Sequence, residues 1–162
     1  MKKIRLTIDY TEYDSIDHLP AADKALMQQA IEATATAYAP YSRFSVGAAV
    51  LLENGVTVKG SNQENAAYPT GLCAERVAIF AAASHYPGIP FKAIAITASS
   101  AKIAVDSPIA PCGSCRQAIS EYEVLYKKPV RILLMGQTGK VLEFNSLESL
   151  LPLRFESKNL AQ

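Results

Sequence analysis

Three cysteines and one glutamate hold most of the chemical potential of this sequence. Cys73 stands in Gly71-Leu72-Cys73-Ala74-Glu75-Arg76, and Cys112 and Cys115 stand in Pro111-Cys112-Gly113-Ser114-Cys115-Arg116; the chain has no other cysteine. Three thiolates can bind a Zn²⁺ and leave its fourth tetrahedral position open to water, which separates a catalytic zinc from a structural one. Glu75, two residues past the first thiol, is then placed to move that water's protons.

Each residue also has a plainer reading. Cys73 in an alanine-rich run can be a buried core thiol. Cys112 and Cys115 can form a thioredoxin-like redox pair, though that leaves Cys73-Ala74-Glu75 without a role. Glu75 can be a solvated carboxylate stabilising a helix N-terminus, and Arg76 a surface charge. His18 and His85 fall in loops and read as surface residues. Together the pieces are far more specific than any one of them.

The ligands need elements to position them. An alanine-rich helix is expected from about Cys73 to Ser84, and a second from Cys112 to about Tyr122. Residues three apart on a helix share a face, with Cβ atoms about 5–6 Å apart, so Cys112 and Cys115 reach one ion. Both helix N-termini carry partial positive charge, which favours thiolates. Three thiolates on Zn²⁺ leave the cluster negative, and Arg76 and Arg116 are candidates to offset this by donating to the sulfurs.

Around these helices, the alternation of Ile4, Leu6, Ile8 and Tyr10 with charged and polar residues predicts an edge strand. Apolar spacing predicts a helix from Pro20 to Tyr38, stopped by Pro40. Asn54-Gly55 between two β-rich runs, 44–52 and 56–59, predicts a hairpin. Further strands are expected at 93–98, 130–135 and 140–144, the last two joined by Gln137-Thr138-Gly139, with a short helix at 146–151. The expected fold is α/β: a single domain over 1–162, a three-layer α/β/α sandwich with a mixed, mainly five-stranded sheet. Residues 1–19 form an N-terminal extension and 156–162 a polar tail.

Composition excludes several classes. At 162 residues the chain buries a core without a metal staple. Sixteen Lys and Arg against 15 Asp and Glu give a net charge of +1, so nucleic acid and anionic membranes are not the expected partners. No segment reads as a membrane span or leader. An odd cysteine count points to a reducing cytoplasm.

The combination Cys73-Ala74-Glu75 with Pro111-Cys112-Gly113-Ser114-Cys115 resembles the zinc-dependent deaminases, whose signature pairs a His- or Cys-x-Glu with Pro-Cys-x-x-Cys. Further stretches narrow the resemblance to cytidine deaminases acting on free nucleosides: residues 39–49, Asn62-Gln63-Glu64-Asn65-Ala66-Ala67-Tyr68-Pro69, Pro111 to Gln117, and Leu150 to Phe155. It implies one zinc per subunit, hydrolysis of cytidine and 2′-deoxycytidine in pyrimidine salvage, and Glu75 as the proton carrier. It also implies Asn62 and Glu64 on the ribose hydroxyls, Phe44 on the cytosine face, and the backbone around Ala74 at the reacting edge. Arg76 and Gln117 would lie beside the thiolates. The implied assembly is a homotetramer whose subunits share sites through Tyr68 and Phe155. The first twenty residues and a long loop from Ser99 to Pro111 depart from the family pattern. A deaminase of another cytosine nucleoside, and a zinc-binding module without activity, are the competing readings.

Overall fold

The computed structural model describes residues 1–160. One six-stranded sheet, in the order β1-β6-β5-β4-β2-β3, is built from β1 (Thr11–Tyr13), β2 (Phe44–Leu52), β3 (Thr57–Ser61), β4 (Phe91–Ser100), β5 (Arg131–Met135) and β6 (Val141–Phe144). The β4–β5 pair is parallel and the other neighbours are antiparallel, so the sheet is mixed, as expected. Three helices cover it: α1 (Ala21–Ala33), α2 (Ala74–His85) and α3 (Gly113–Tyr126).

Strand alternation sorts the core into two layers. On one face Leu26, Met27 and Ala30 of α1 pack on Ala49, Ala93, Ala95 and Leu133. On the other, Ala78, Ile79 and Ala82 of α2 and Ile119 of α3 pack on Val50, Ile94, Ile96 and Ile132. The central strands are apolar on both faces because both are covered, which gives the expected α/β/α sandwich.

Topology places the two cysteine-bearing helix ends together. β3 and β4 both run antiparallel to β2, and β4 runs parallel to β5. The units β3-α2-β4 and β4-α3-β5 therefore cross over in the same direction along the sheet. Crossovers of one hand put α2 and α3 on one face, with both N-termini beyond the carboxyl ends of parallel strands. Gly60 lets α2 approach β3 closely. A Cβ there would sit 2.5 Å from the Ala78 nitrogen and 2.6 Å from the Ala74 carbonyl oxygen, so the first turns of α2 lie directly on β3.

Several expectations are corrected. Residues 4–10 form no strand; the edge strand is Thr11–Tyr13. The register sets Thr11 opposite Glu143, so Tyr10 meets Phe144, the last residue of β6, with ring centroids 5.5 Å apart. Earlier residues overhang the sheet, because the chain leaves β6 there for a 3₁₀ turn at Leu147–Ser149, which replaces the expected helix at 146–151. The helix from Pro20 closes at Ala33 and tightens to 3₁₀ over Thr34–Thr36. There the Thr34 and Thr36 hydroxyls donate to the carbonyls of Ile31 and Ala33, competing with the helical ladder. With β1 included the sheet has six strands. Of the tail, Ser157–Asn159 is a 3₁₀ turn, and residues 161–162 lie outside the described residues. Among the described residues, no helix is long and apolar enough to cross a membrane.

Candidate active site

Cys73 is the N-cap residue of α2, Cys112 is the N-cap of α3, and Cys115 lies in the first turn of α3. Their sulfurs converge: Cys73 and Cys112 are 3.9 Å apart, Cys112 and Cys115 3.5 Å, and all three lie within 4.8 Å of one another. A tetrahedral site with Zn–S bonds of about 2.3 Å has S–S edges of about 3.8 Å. The cluster fits one zinc. Cys115 is fully buried, Cys73 partly so, and Cys112 is exposed, leaving one side of the triangle accessible.

Electrostatics favours the thiolate form. The Cys73 thiol is lowered to about 5, chiefly by a hydrogen bond from the Cys115 thiol and further by Arg76 and Cys112, against the opposing effect of burial. Cys115 shifts upward, since it holds the proton shared with Cys73 and is buried beside Glu75. Arg76 sends Nη2 to the Cys73 sulfur at 3.8 Å, and its own pKa rises through that contact. Its Nε is buried and has no hydrogen-bond partner among the described residues, so the guanidinium is held there at a cost that the negative cluster offsets. Arg116 does not reach the sulfurs, contrary to expectation. It donates to the carbonyls of Pro111 at 2.8 Å and Leu150 at 2.9 Å, and so braces the turn that carries Cys112.

Glu75 follows Ala74 at the start of α2 and is only 4% exposed. Burial raises its pKa above the ordinary carboxylate value, which suits a group that must both take up and release protons. It lines a cavity of about 820 Å³ together with Cys73, Cys112 and Arg76. That volume accommodates a small ligand.

The same cavity is lined by Phe44, Asn62, Glu64 and Tyr68. Asn62 is pinned at both ends of its amide: Oδ1 accepts from the Val46 nitrogen at 2.8 Å, and Nδ2 donates to the Phe44 carbonyl at 2.9 Å. Among the described residues these two contacts leave one N–H and one lone pair of the amide for a ligand. Glu64 accepts from the backbone nitrogens of Tyr41 and Ser42, at 2.9 and 3.2 Å, on Oε2 alone. Hydrogen bonds from the Ser42 side chain and these amides hold its pKa below the ordinary value. Both amide contacts fall on Oε2, so Oε1 is not engaged by these backbone donors.

Ala74 is fully buried behind the cavity wall, while Gln117 and Phe155 do not line it. Gln117 Nε2 donates to the Phe155 carbonyl at 2.8 Å, which ties the segment around Phe155 to α3 two residues past Cys115. His18 and His85 are exposed, as expected. The cavity also recruits residues that the sequence reading did not single out, among them Tyr41, Ser42, Ile109 and Ala110. Tyr41 and Ser42 adjoin the Phe44 stretch, and that adjacency was the available signal. Ile109 and Ala110 arrive through the long loop before Pro111, which is seated where Gln137 N donates to the Val105 carbonyl at 2.6 Å. That contact has no local signature.

The cytidine and deoxycytidylate deaminase zinc-binding region matches residues 20–128. A cytidine deaminase of Halalkalibacterium halodurans is 38% identical over 135 residues, 83% of this chain and 95% of that protein. One from Sporosarcina psychrophila is 38% identical over 137 residues, 84% of this chain and 93% of its own length. The crystal structure of cytidine deaminase from Burkholderia pseudomallei superposes with a TM-score of 0.71 at 40% identity, covering 81% of this chain and 97% of that one. With a three-thiol cluster, a buried glutamate and a matching fold, the chain belongs to the zinc-dependent cytidine and deoxycytidylate deaminase family.

Proposed function

We propose that this chain hydrolyses cytidine and 2′-deoxycytidine to the uridine product and ammonia. The observation that carries the reading is the buried carboxylate of Glu75 beside three convergent thiols in a cavity that Asn62 and Glu64 also line. Cys73, Cys112 and Cys115 would hold one zinc, which when bound supplies Lewis-acid activation of a water. Glu75 accepts the first proton of the attacking water and delivers it to N3 as the water oxygen bonds to C4; it then takes the second proton from that oxygen and passes it to the amine as the C4–N bond breaks, leaving a C4 carbonyl and ammonia. Arg76 offsets the negative charge of the thiolates. Phe44 packs against the base, the backbone around Ala74 meets its reacting edge, and the amide of Asn62 and the carboxylate of Glu64 receive the ribose hydroxyls.

Charge supports a nucleoside over a nucleotide or a nucleic acid. Among the described residues lining the cavity, Arg76 is the one cation besides its polar and apolar neighbours, and it is directed at Cys73, while Glu64 adds a negative charge. A phosphate would find repulsion without a partner. Tyr68 is 73% exposed at the cavity mouth. That exposure supports a homotetramer in which Tyr68 and Phe155 contribute to neighbouring sites and Gln117 positions the latter. Free thiols at the site support residence in a reducing cytoplasm.

The test is metal analysis of the purified protein with an ultraviolet assay on cytidine, deoxycytidine, cytidine monophosphate and cytosine. One zinc per chain and loss of the cytosine chromophore with the two nucleosides are expected. Turnover of none of the four would overturn the proposal.

A further inference from the structure

The overhanging segment before β1 has an alternating pattern whose apolar side chains stand largely exposed. Ile4, Leu6, Ile8 and Tyr10 are 76%, 60%, 52% and 54% exposed. Tyr10 contacts Phe144, whose side chain belongs to the layer of α2 and α3, so in extended conformation the even-numbered residues share that face and Lys3, Arg5, Thr7 and Asp9 share the other. β1 is a terminal strand of the sheet, paired on one edge with β6. A strand that is exposed and apolar on one face invites addition of another strand.

Its charge distribution selects the partner. Lys2, Lys3 and Arg5 lie at one end of the segment, and Asp9 and Glu12 at the other. Antiparallel pairing of the segment with a second copy of itself lays the positive end on the negative end, whereas parallel pairing stacks like charges. We propose that residues 2–12 of two copies of this chain pair antiparallel about a two-fold axis through Thr7, joining two sheets edge to edge. In this register Leu6 faces Ile8, Ile4 faces Tyr10, Arg5 faces Asp9 and Lys2 faces Glu12, each twice by symmetry. Slipping by one residue sets apolar against polar side chains. Slipping by two sets Lys2 against Tyr10 or Glu12 against Ile4, and retains at most one oppositely charged pair per half instead of two. An isolated two-stranded ribbon is marginal in water. This one continues into β1 at both ends, and each β1 is anchored by Tyr13 donating to Glu143 at 2.8 Å and by Lys140 on Glu12 Oε1, a carboxylate that Lys2 of the second copy would share.

The test uses the zinc-loaded full chain carrying Thr7→Cys or Lys3→Cys, oxidised mildly with glutathione disulfide and run on a non-reducing gel. Residue 7 faces itself, while two copies of residue 3 are separated by eight residues, about 26 Å at 3.3 Å per residue. Cross-linked dimer is expected from Thr7→Cys and not from Lys3→Cys. Adding Arg5→Asp to Thr7→Cys should cut the yield several-fold, and adding Asp9→Arg as well should restore it. Equal yields at residues 3 and 7, no cross-link at residue 7, or failure of the charge swap to rescue would overturn the ribbon. None of these positions lines the cavity, so the outcome does not depend on the proposed reaction.

Discussion

Arg76 Nη2 sits 3.8 Å from the sulfur of Cys73, one helical turn back on α2, and this contact links the metal ligands to their charge balance. Behind the hydrogen bond from the Cys115 thiol, which contributes most, it favours a thiolate at Cys73 even before a metal binds. The thiol is an acid whose folded-state pKa is depressed to about 5, so the thiolate persists at neutral pH and is lost only as pH falls through that value. After removal of zinc with a chelator, iodoacetamide at pH 7 should label Cys73 well ahead of Cys115, and the Cys73 rate should be half-maximal near pH 5. Arg76→Ala should move that midpoint upward. Mass-spectrometric labelling rates across pH would check this: a midpoint near 8.5 in the unsubstituted protein would refute the depressed thiol, and an unmoved midpoint in Arg76→Ala would refute the role of the guanidinium.

Glu75→Gln separates proton transfer from metal binding. The amide keeps the shape of a residue that is 4% exposed but cannot shuttle protons. Turnover of cytidine should fall by about 10⁴-fold or more, since removing a positioned acid/base costs about 10²–10⁴ and this residue would act more than once per cycle. Zinc content should stay at one per chain. Full zinc with a near-normal rate would remove Glu75 from the mechanism.

The ligand set was readable because it is local: Cys112 and Cys115 are three apart, and Cys73 and Glu75 share one turn. The hairpin was equally local, with Asn54 Oδ1 accepting from the Val56 nitrogen at 3.1 Å and Gly55 at φ +85°. What escaped depends on partners distant in sequence. The alternation of Ile4 to Tyr10 states a preference for extended structure, but which residues become β1 is decided by where β6 stops, more than a hundred residues later. Arg116 looked like a thiolate partner by adjacency, yet its fork finds the Leu150 carbonyl instead. Asn62 and Glu64 were legible only through resemblance, and nothing local shows that both are pinned by the backbone of residues 41–46.

Gly60 sets how closely α2 lies on the sheet, and with it the position of Cys73 and Glu75. A methyl group there would stand 2.5–2.6 Å from backbone atoms of Ala74 and Ala78, which cannot rotate away. Gly60→Ala should therefore cost about 1–3 kcal/mol of stability, the usual range for overpacking. Displacement of the first turns of α2 should also speed zinc release to a chelating dye. Unchanged release kinetics with the same melting temperature would mean that α2 is not seated by this contact.

Glu123 ties α3 to the segments that follow it. The carboxylate is 6% exposed, and its Oε1 accepts from the backbone nitrogens of Val130 at 2.8 Å and Leu147 at 2.9 Å. Its Oε2 accepts from Arg154 at 3.0 Å. Glu123→Ala orphans two buried amides and removes one of the two carboxylates around Arg154, the other being Glu156. Breaking a buried pair on one side costs about 3–5 kcal/mol. Because Arg154 keeps Glu156, the lower end is expected, a fall in melting temperature of roughly 6–12 °C for a chain of this size. Glu123→Gln keeps an acceptor for the two amides and should lose clearly less. Zinc content of the folded fraction should not change, because Glu123 lies about two turns or more from Cys115 along α3. Equal losses for the two variants would show that the charge on Arg154, rather than the buried amides, is what Glu123 serves.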